Sequence, residues 1–356
     1  MVVSHVSLRE FRSYAALELD VAPGLVLVTG ANGVGKTNLL EAIHVGSQGF
    51  SPRTRAETRL IRFGETAARV ALAGAEGGVP VATRVAFARR EAKRIELNGA
   101  PLASTDELRS RLSVLAFVPD RLAVVKGSPI VRRSYFDRML GRLFPTEARL
   151  PSDYGRALAQ RNEALRRVRA SASTVAALAP WTERVAELGT SLATARSGVV
   201  ELLAPAFSER AAALGLVDAE LVYERAPLTV GALDARLQQD VARGATSLGP
   251  HLADVRIAAG GRELRSFGSQ GEQRIAVLAL VLAEADVTAA RREAPPLLLL
   301  DDVMSELDES RRAALVDSLP SSAQTLVTAT SAEALPRRAT APMQVLVVSP
   351  GEVHPG

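Results

Sequence analysis

The chain has 356 residues, 47% of them hydrophobic, enough for two compact domains of ordinary size with cores of their own. It contains no cysteine, which excludes disulfides, zinc-thiolate sites and a catalytic thiol, and makes a reducing cytoplasm the expected home. The net charge of +4 suits a polyanionic partner, yet all but three of the 43 basic residues are arginine, a composition bias that yields the same excess without a partner.

In chain order, "MVVSHVSLREF" has no long apolar stretch behind a basic start, so no signal peptide is expected. "LELDV" (Leu17 to Val21) alternates apolar and acidic residues and predicts a half-buried strand. "LVLVT" (Leu25 to Thr29) is continuously apolar, as in a strand buried on both faces of a parallel sheet. It runs into the glycine-rich "TGANGVGKT", and "NLLEAI" then opens a helix. Between Ala67 and Leu97, short apolar stretches separated by "GAEGG" predict a strand meander, with "NGAP" (Asn98 to Pro101) as a turn. The clusters "RREAKR" (Arg89 to Arg94) and "RNEALRRVR" (Arg161 to Arg169) suit either a DNA backbone or a solvated face.

From Asp153 to Leu214 the chain is rich in Ala, Leu, Arg and Glu. Trp181, Val185, Leu188, Leu192, Ala195, Val199 and Leu202 recur at steps of four and three, and Pro180 sits where a helix can begin. An upstream stripe of Tyr154, Leu158, Leu165 and Val168 is interrupted by Arg161, so a short antiparallel helical hairpin is expected. The last hundred residues return to α/β character. "IAVLALVLAEA" (Ile275 to Ala285) predicts an apolar helix, "LLLLDD" (Leu297 to Asp302) a buried strand ending in two carboxylates, and "AQTLVTAT" (Ala323 to Thr330) another strand. The longest apolar run, Ile275 to Ala283, is far short of the roughly 20 residues of a membrane span. The two α/β portions are expected to form one sheet, with a helical lobe inserted between them.

Three segments carry chemistry. Gly30, Gly35, Lys36 and Thr37 satisfy G-x-x-x-x-G-K-[ST]. In such a loop the amides from Gly30 through Ala31, Asn32, Gly33, Val34 and Gly35, with those opening the helix at Lys36, Thr37 and Asn38, face a triphosphate; Lys36 bridges its β- and γ-phosphates and Thr37 binds Mg2+. Asp301, at the end of a buried strand, is placed to hold the magnesium of ATP, and Asp302 to polarise an attacking water. Paired aspartates after a strand also suit a helix cap. In "FGSQGEQR" (Phe267 to Arg274), Ser269, Gly271 and a helix start make either an anion site or an ordinary cap.

Together these residues resemble the RecF and SMC group of ABC-type ATPases. "SLREFRSYAALELDVAPGLVLVTGANGVGKTNLLEAI" is similar to its N-terminal segment, "SFGSQGEQR" to its signature, and "LLLLDDVMSELD" to its Walker B and D-loop. "GSPIVRRSYFDRML", "YGRALAQRNEALR" and "GPHLADV" resemble the RecF branch in particular. The resemblance implies an ABC-type P-loop head, a mixed sheet with flanking helices and an antiparallel β portion, at residues 1–114 and 245–356. A mostly helical lobe with a short hairpin would occupy 115–244. It implies ATP and Mg2+ held between two copies, Gly30 to Thr37 of one facing Ser269 and Gly271 of the other, with Asp308 at the shared interface, Asp302 as base and slow hydrolysis. The region around Arg12 is the candidate for adenine.

The implied function is an ATP-dependent homodimer that binds double-stranded DNA at gaps and single-strand/double-strand junctions and acts with RecR and RecO, and through them RecA. It would be cytoplasmic, at the nucleoid, with no membrane partner. The sequence departs from related patterns in several places. Transport subunits carry glutamate at the position of Asp302 and a histidine after the last strand, where Thr328 to Ser331 has none; no Q-loop glutamine lies near "FVPDR"; and Leu252 replaces an arginine usual in the RecF branch. The alternative readings are an ABC transporter ATPase subunit, disfavoured by the long helical stretch between Thr37 and Leu297, and an SMC-like cohesion head, disfavoured by the lack of a long coiled-coil arm. A hexameric motor has no place for the signature segment.

Overall fold

The computed structural model describes residues 1–224, 228–305, 307–335 and 343–356; Glu306, inside the "SELD" segment, lies outside the described residues. The chain forms two compact units: Met1–Leu122 with Glu209–Val217 and Ser269–Gly356, and Ala123–Ser208 with Asp218–Gly268.

In the first unit, Leu25–Thr29 is a strand whose five residues are all buried, as continuous apolarity requires when both faces are covered. It lies inside a six-stranded sheet in the order Glu352–Pro355, Met343–Ser349, Leu25–Thr29, Thr325–Thr328, Leu297–Leu300, Val114–Phe117. All neighbours are parallel except the first pair. The two α/β portions thus share one sheet, and Leu297–Leu300, buried throughout, delivers Asp301 to the same edge as the glycine loop.

A second sheet is antiparallel: Tyr14–Asp20, Val2–Phe11, Ala67–Glu76, Val79–Ala88, Arg94–Leu97, Ala100–Pro101. Two of its hairpins turn at Gly77-Gly78 and Asn98-Gly99, all with positive φ, the geometry that matches the twist of the flanking strands. The helix Lys36–Gln48 is buried without a break from Leu39 to Gln48 and packs on strands of both sheets. At Gly46 an added Cβ would lie 2.7 Å from Leu72, so glycine sets how closely helix and sheet approach.

The second unit holds the helices Pro129–Leu143, Leu150–Arg169 and most of Ala179–Ala213. It also contains a three-stranded antiparallel sheet, Arg262–Glu263, Asp254–Ala259, Ala219–Glu224, which the sequence reading did not assign. That sheet moves the boundaries from those expected. Asp254–Ala259 pairs with Ala219–Glu224, so 245–268 sits with the second unit, and Val114–Phe117 pairs with Leu297–Leu300, so 115–122 stays with the first.

The predicted stripe is buried at Val185, Leu188, Leu192 and Val199, but Trp181 and Leu202 are exposed. A pattern of period 3.5 drifts around a helix of 3.6 residues per turn, and Leu203, Phe207 and Ala211 take over the buried face. Arg161 is not an interruption. It is fully buried, donating from Nη1 to Asp240 Oδ2 at 2.9 Å and to Thr246 Oγ1 at 2.7 Å, and from Nε to Thr182 Oγ1 at 3.2 Å. This removes Arg161 from the basic cluster read as a possible DNA face.

The "GPHLADV" segment is tied in likewise. His251 Nδ1 accepts from the Tyr154 hydroxyl at 2.7 Å while Nε2 donates to the Thr246 carbonyl at 3.2 Å, a neutral imidazole, as burial lowers its pKa. Asp254 receives Arg132 Nε at 2.8 Å, and Leu252 points to solvent.

Candidate nucleotide site

The site begins with three glycines whose backbone is left-handed or extended at positive φ: Gly30 at 144°, Gly33 at 83° and Gly35 at 125°. An added Cβ at Gly33 would meet nothing, so conformation alone demands glycine there; at Gly30 it would lie 2.5 Å from the Val348 carbonyl. The loop closes on Gly35, whose carbonyl accepts from Tyr14 OH at 3.0 Å. Gly35 is also the N-cap of Lys36–Gln48 and supplies no side-chain cap, leaving the first-turn amides open to an anion.

Lys36 Nζ folds back onto the carbonyls of Gly30 at 2.6 Å and Ala31 at 2.8 Å. Burial holds this ammonium below its ordinary pKa, against the pull of Asp302 and Asp301. Thr37 Oγ1 donates to Asp301 Oδ1 at 3.0 Å, and Thr328 Oγ1 donates to the same oxygen at 2.9 Å. Burial pushes the Asp301 carboxyl above the usual range, and these two hydrogen bonds only partly offset it. Asp302 is exposed, at φ 50°, with its N–H donated to Thr328 Oγ1 at 2.7 Å.

A cleft of about 470 Å³ is lined by Asn32, Gly33, Gly35, Lys36, Thr37 and Asn38 on one side and by Asp301, Asp302 and Thr328 on the other. It holds cationic and amide donors beside a hydroxyl–carboxylate pair, the donor set for a triphosphate with a hard divalent ion. Gly30 and Ala31 border it through Lys36, and Val34 packs against the core beneath.

The other sequence candidates fall elsewhere. Arg12 does not line the cleft; its guanidinium forms two hydrogen bonds, 2.9 and 2.8 Å, to the fully buried carboxylate of Glu41. Ser269 N-caps the helix Gln270–Arg292 in a reciprocal capping box with Glu272. Asp308 N-caps Glu309–Ser318, and its carboxyl is held low by hydrogen bonds from Ser310 and the Arg311 amide. Neither Ser269, Gly271 nor Asp308 lines the cleft.

Sequence reasoning missed Arg53, Thr328 and Glu41. Arg53 lines the cleft and donates to Glu41 at 3.1 Å and Asn38 at 3.3 Å. Only Glu41 left a signal, a lone carboxylate inside the apolar run of "NLLEAI".

The RecF/RecN/SMC N-terminal domain model matches residues 2–352. A DNA replication and repair protein RecF from Heliobacterium modesticaldum is 36% identical over 334 residues, covering 90% of each chain. One from Frankia alni is 34% identical over 377 residues, covering 99% of each. A solved structure described as the recombination mediator protein RecF-ATP in the RecFOR pathway superposes with a TM-score of 0.86 at 25% identity, covering 99% of this chain and 97% of that one. An SMC head bound to the C-winged helix domain of ScpA shares the fold, with a TM-score of 0.62 at 18% identity, covering 100% of this chain and 97% of that one.

Proposed function

The chain belongs to the RecF branch of the RecF/RecN/SMC family, and on that premise we propose that it is an ATP-gated DNA-binding protein of recombinational repair whose nucleotide joins two copies. Each copy offers the glycine loop and Asp301 to one triphosphate and Ser269 with Gly271 to the other. The closed dimer grips double-stranded DNA at gaps and strand junctions and acts with RecR and RecO to favour RecA loading, and slow hydrolysis releases it. The protein works in the cytoplasm, at the nucleoid; no helix among the described residues is long and apolar enough to cross a membrane.

One observation carries the dimer. Gly271 stands in the first turn of a helix, has no positive φ, and a Cβ there would meet nothing nearer than 4.0 Å. Nothing among the described residues calls for glycine there, where alanine would be the better helix former. A triphosphate brought in by a second copy would need that space.

In the cleft, Lys36 exchanges two carbonyls for phosphate oxygens, recovering the charge that burial disfavours. Thr37 and Asp301 would hold magnesium, which would supply charge neutralisation for the triphosphate. Asp302 accepts a proton from the attacking water, and its backbone is fixed by Thr328. An aspartate reaches less far than a glutamate, in keeping with slow turnover and with a task performed by the bound state.

Sedimentation of the Asp302→Asn variant with ATP and magnesium, with and without a gapped duplex, tests this reading. A persistent dimer whose DNA affinity falls steeply with salt is expected. A chain that stays single at saturating ATP, magnesium and DNA overturns it.

A further inference from the structure

Arg311 stands beside the signature end of Gln270–Arg292, and among the described residues its guanidinium makes a long ion pair with Asp308. The Asp308 Oδ2 atom is 3.6 Å from Nη1, beyond hydrogen-bond distance. The other Asp308 oxygen already accepts from Ser310 Oγ at 2.7 Å and from the Arg311 backbone amide at 2.8 Å. A Cβ built on Gly271 would lie 4.0 Å from Arg311 Nη1 and 4.0 Å from Ser269 Oγ, and one built on Gly215 would lie 3.8 Å from Arg311 Nε. The guanidinium, the Ser269 hydroxyl and the side-chain-free Cα of Gly271 therefore border one open gap, and the Arg311 side chain is 37% exposed. Arg311 is absent from the lining of the chain's own nucleotide cleft.

We infer that Arg311 contacts the terminal phosphate of the nucleotide held in the glycine loop of a second copy, acting in trans beside Ser269 and Gly271. The inference rests on the dimer reading above and adds to it a charged residue. A serine hydroxyl and helix amides bring only dipoles to a group carrying several negative charges, whereas a guanidinium brings a full charge and a planar fork of donors matched to phosphate oxygens. The positive end of a 23-residue helix has the same sign and reinforces it. Asp308 then orients the helix that carries Arg311, by capping it, and its long ion pair with the guanidinium is one that phosphate oxygens replace.

The test combines Arg311→Ala, Arg311→Lys and a mixing experiment. Arg311→Ala keeps the unfolding midpoint and the nucleotide affinity of the monomer, and weakens ATP-dependent dimerisation about tenfold or more, with matching loss of ATP hydrolysis. Arg311→Lys recovers part of the loss. Mixing Arg311→Ala with Lys36→Ala raises hydrolysis above that of either variant alone, because the mixed dimer has one composite site with an intact loop from one copy and an intact Arg311 from the other.

No rise on mixing, or dimerisation of Arg311→Ala at the wild-type ATP and protein concentrations, overturns the role of Arg311. Failure of the wild-type chain to dimerise with ATP overturns instead the reading on which that role rests.

Discussion

The glycine-loop cleft of the first unit and the interior of the second both bury charge, and they treat it in opposite ways. Among the described residues of the second unit each buried arginine is answered by a carboxylate, Arg132 by Asp254, Arg161 by Asp240 and Arg196 by Asp137 at 2.7 and 2.9 Å, though Arg161 Nη2 finds no acceptor. In the cleft, Lys36 has two carbonyls and Asp301 two hydroxyls, all neutral, and burial moves both groups toward their uncharged forms. A buried charge met by its counter-charge is finished architecture. One hydrogen-bonded only to dipoles, with its counter-charges acting from farther off, has an electrostatic need that a bound polyanion and cation would meet.

The largest expected effect breaks the finished side. Asp240→Ala leaves Arg161 charged and unanswered at a fully buried position, and should lower unfolding free energy by about 3–5 kcal/mol in denaturant titration. Replacing both partners by apolar residues, Arg161→Met with Asp240→Leu, should recover most of that loss. Next comes the unfinished side. Lys36→Ala should reduce ATP affinity about a hundredfold, read by fluorescent nucleotide titration, without lowering the thermal midpoint of the nucleotide-free protein.

Asp301→Asn sharpens the same contrast through pH. The folded-state pKa of Asp301 is raised, so the native chain binds this proton more tightly than the unfolded one; the associated stability is present at acid pH and lost as pH rises through the elevated value. At neutral pH the nucleotide-free Asn variant should therefore melt above wild type. The advantage should shrink as pH falls through the carboxylate range, and the stabilisation that magnesium and ATP give wild type should disappear. The smallest effect belongs to Gly271→Ala, which should stabilise the monomer by about 0.5–1 kcal/mol in thermal melts yet impair ATP-dependent dimerisation in sedimentation.

Much of the cleft was legible because its parts are local. The apolar runs Leu25–Thr29 and Leu297–Leu300 are strands at the expected places, and the residues that follow them meet at one sheet edge. Arg161 was misread for the opposite reason. In sequence it is a charge breaking an apolar stripe, and its counter-charge lies 79 residues away. Arg53 and Thr328 were silent because neither belongs to a spacing pattern; each reaches the cleft through the fold of a separate segment. The strands Ala219–Glu224 and Asp254–Ala259 escaped because each is short, and the stretch between them holds helices, so their pairing is not a hairpin.

By itself the sequence determined the strand, glycine loop and helix that border the cleft, the paired aspartates, and the capped helix carrying Ser269 and Gly271, since each depends on neighbours within one or two turns of chain. Only the tertiary structure decided that Thr37 and Thr328 share one oxygen of Asp301, that Glu41 engages both Arg12 and Arg53, and that Arg311 stands beside Gly271. These are contacts between segments far apart in the chain, fixed by sheet order and core packing, and no local pattern of residues encodes them.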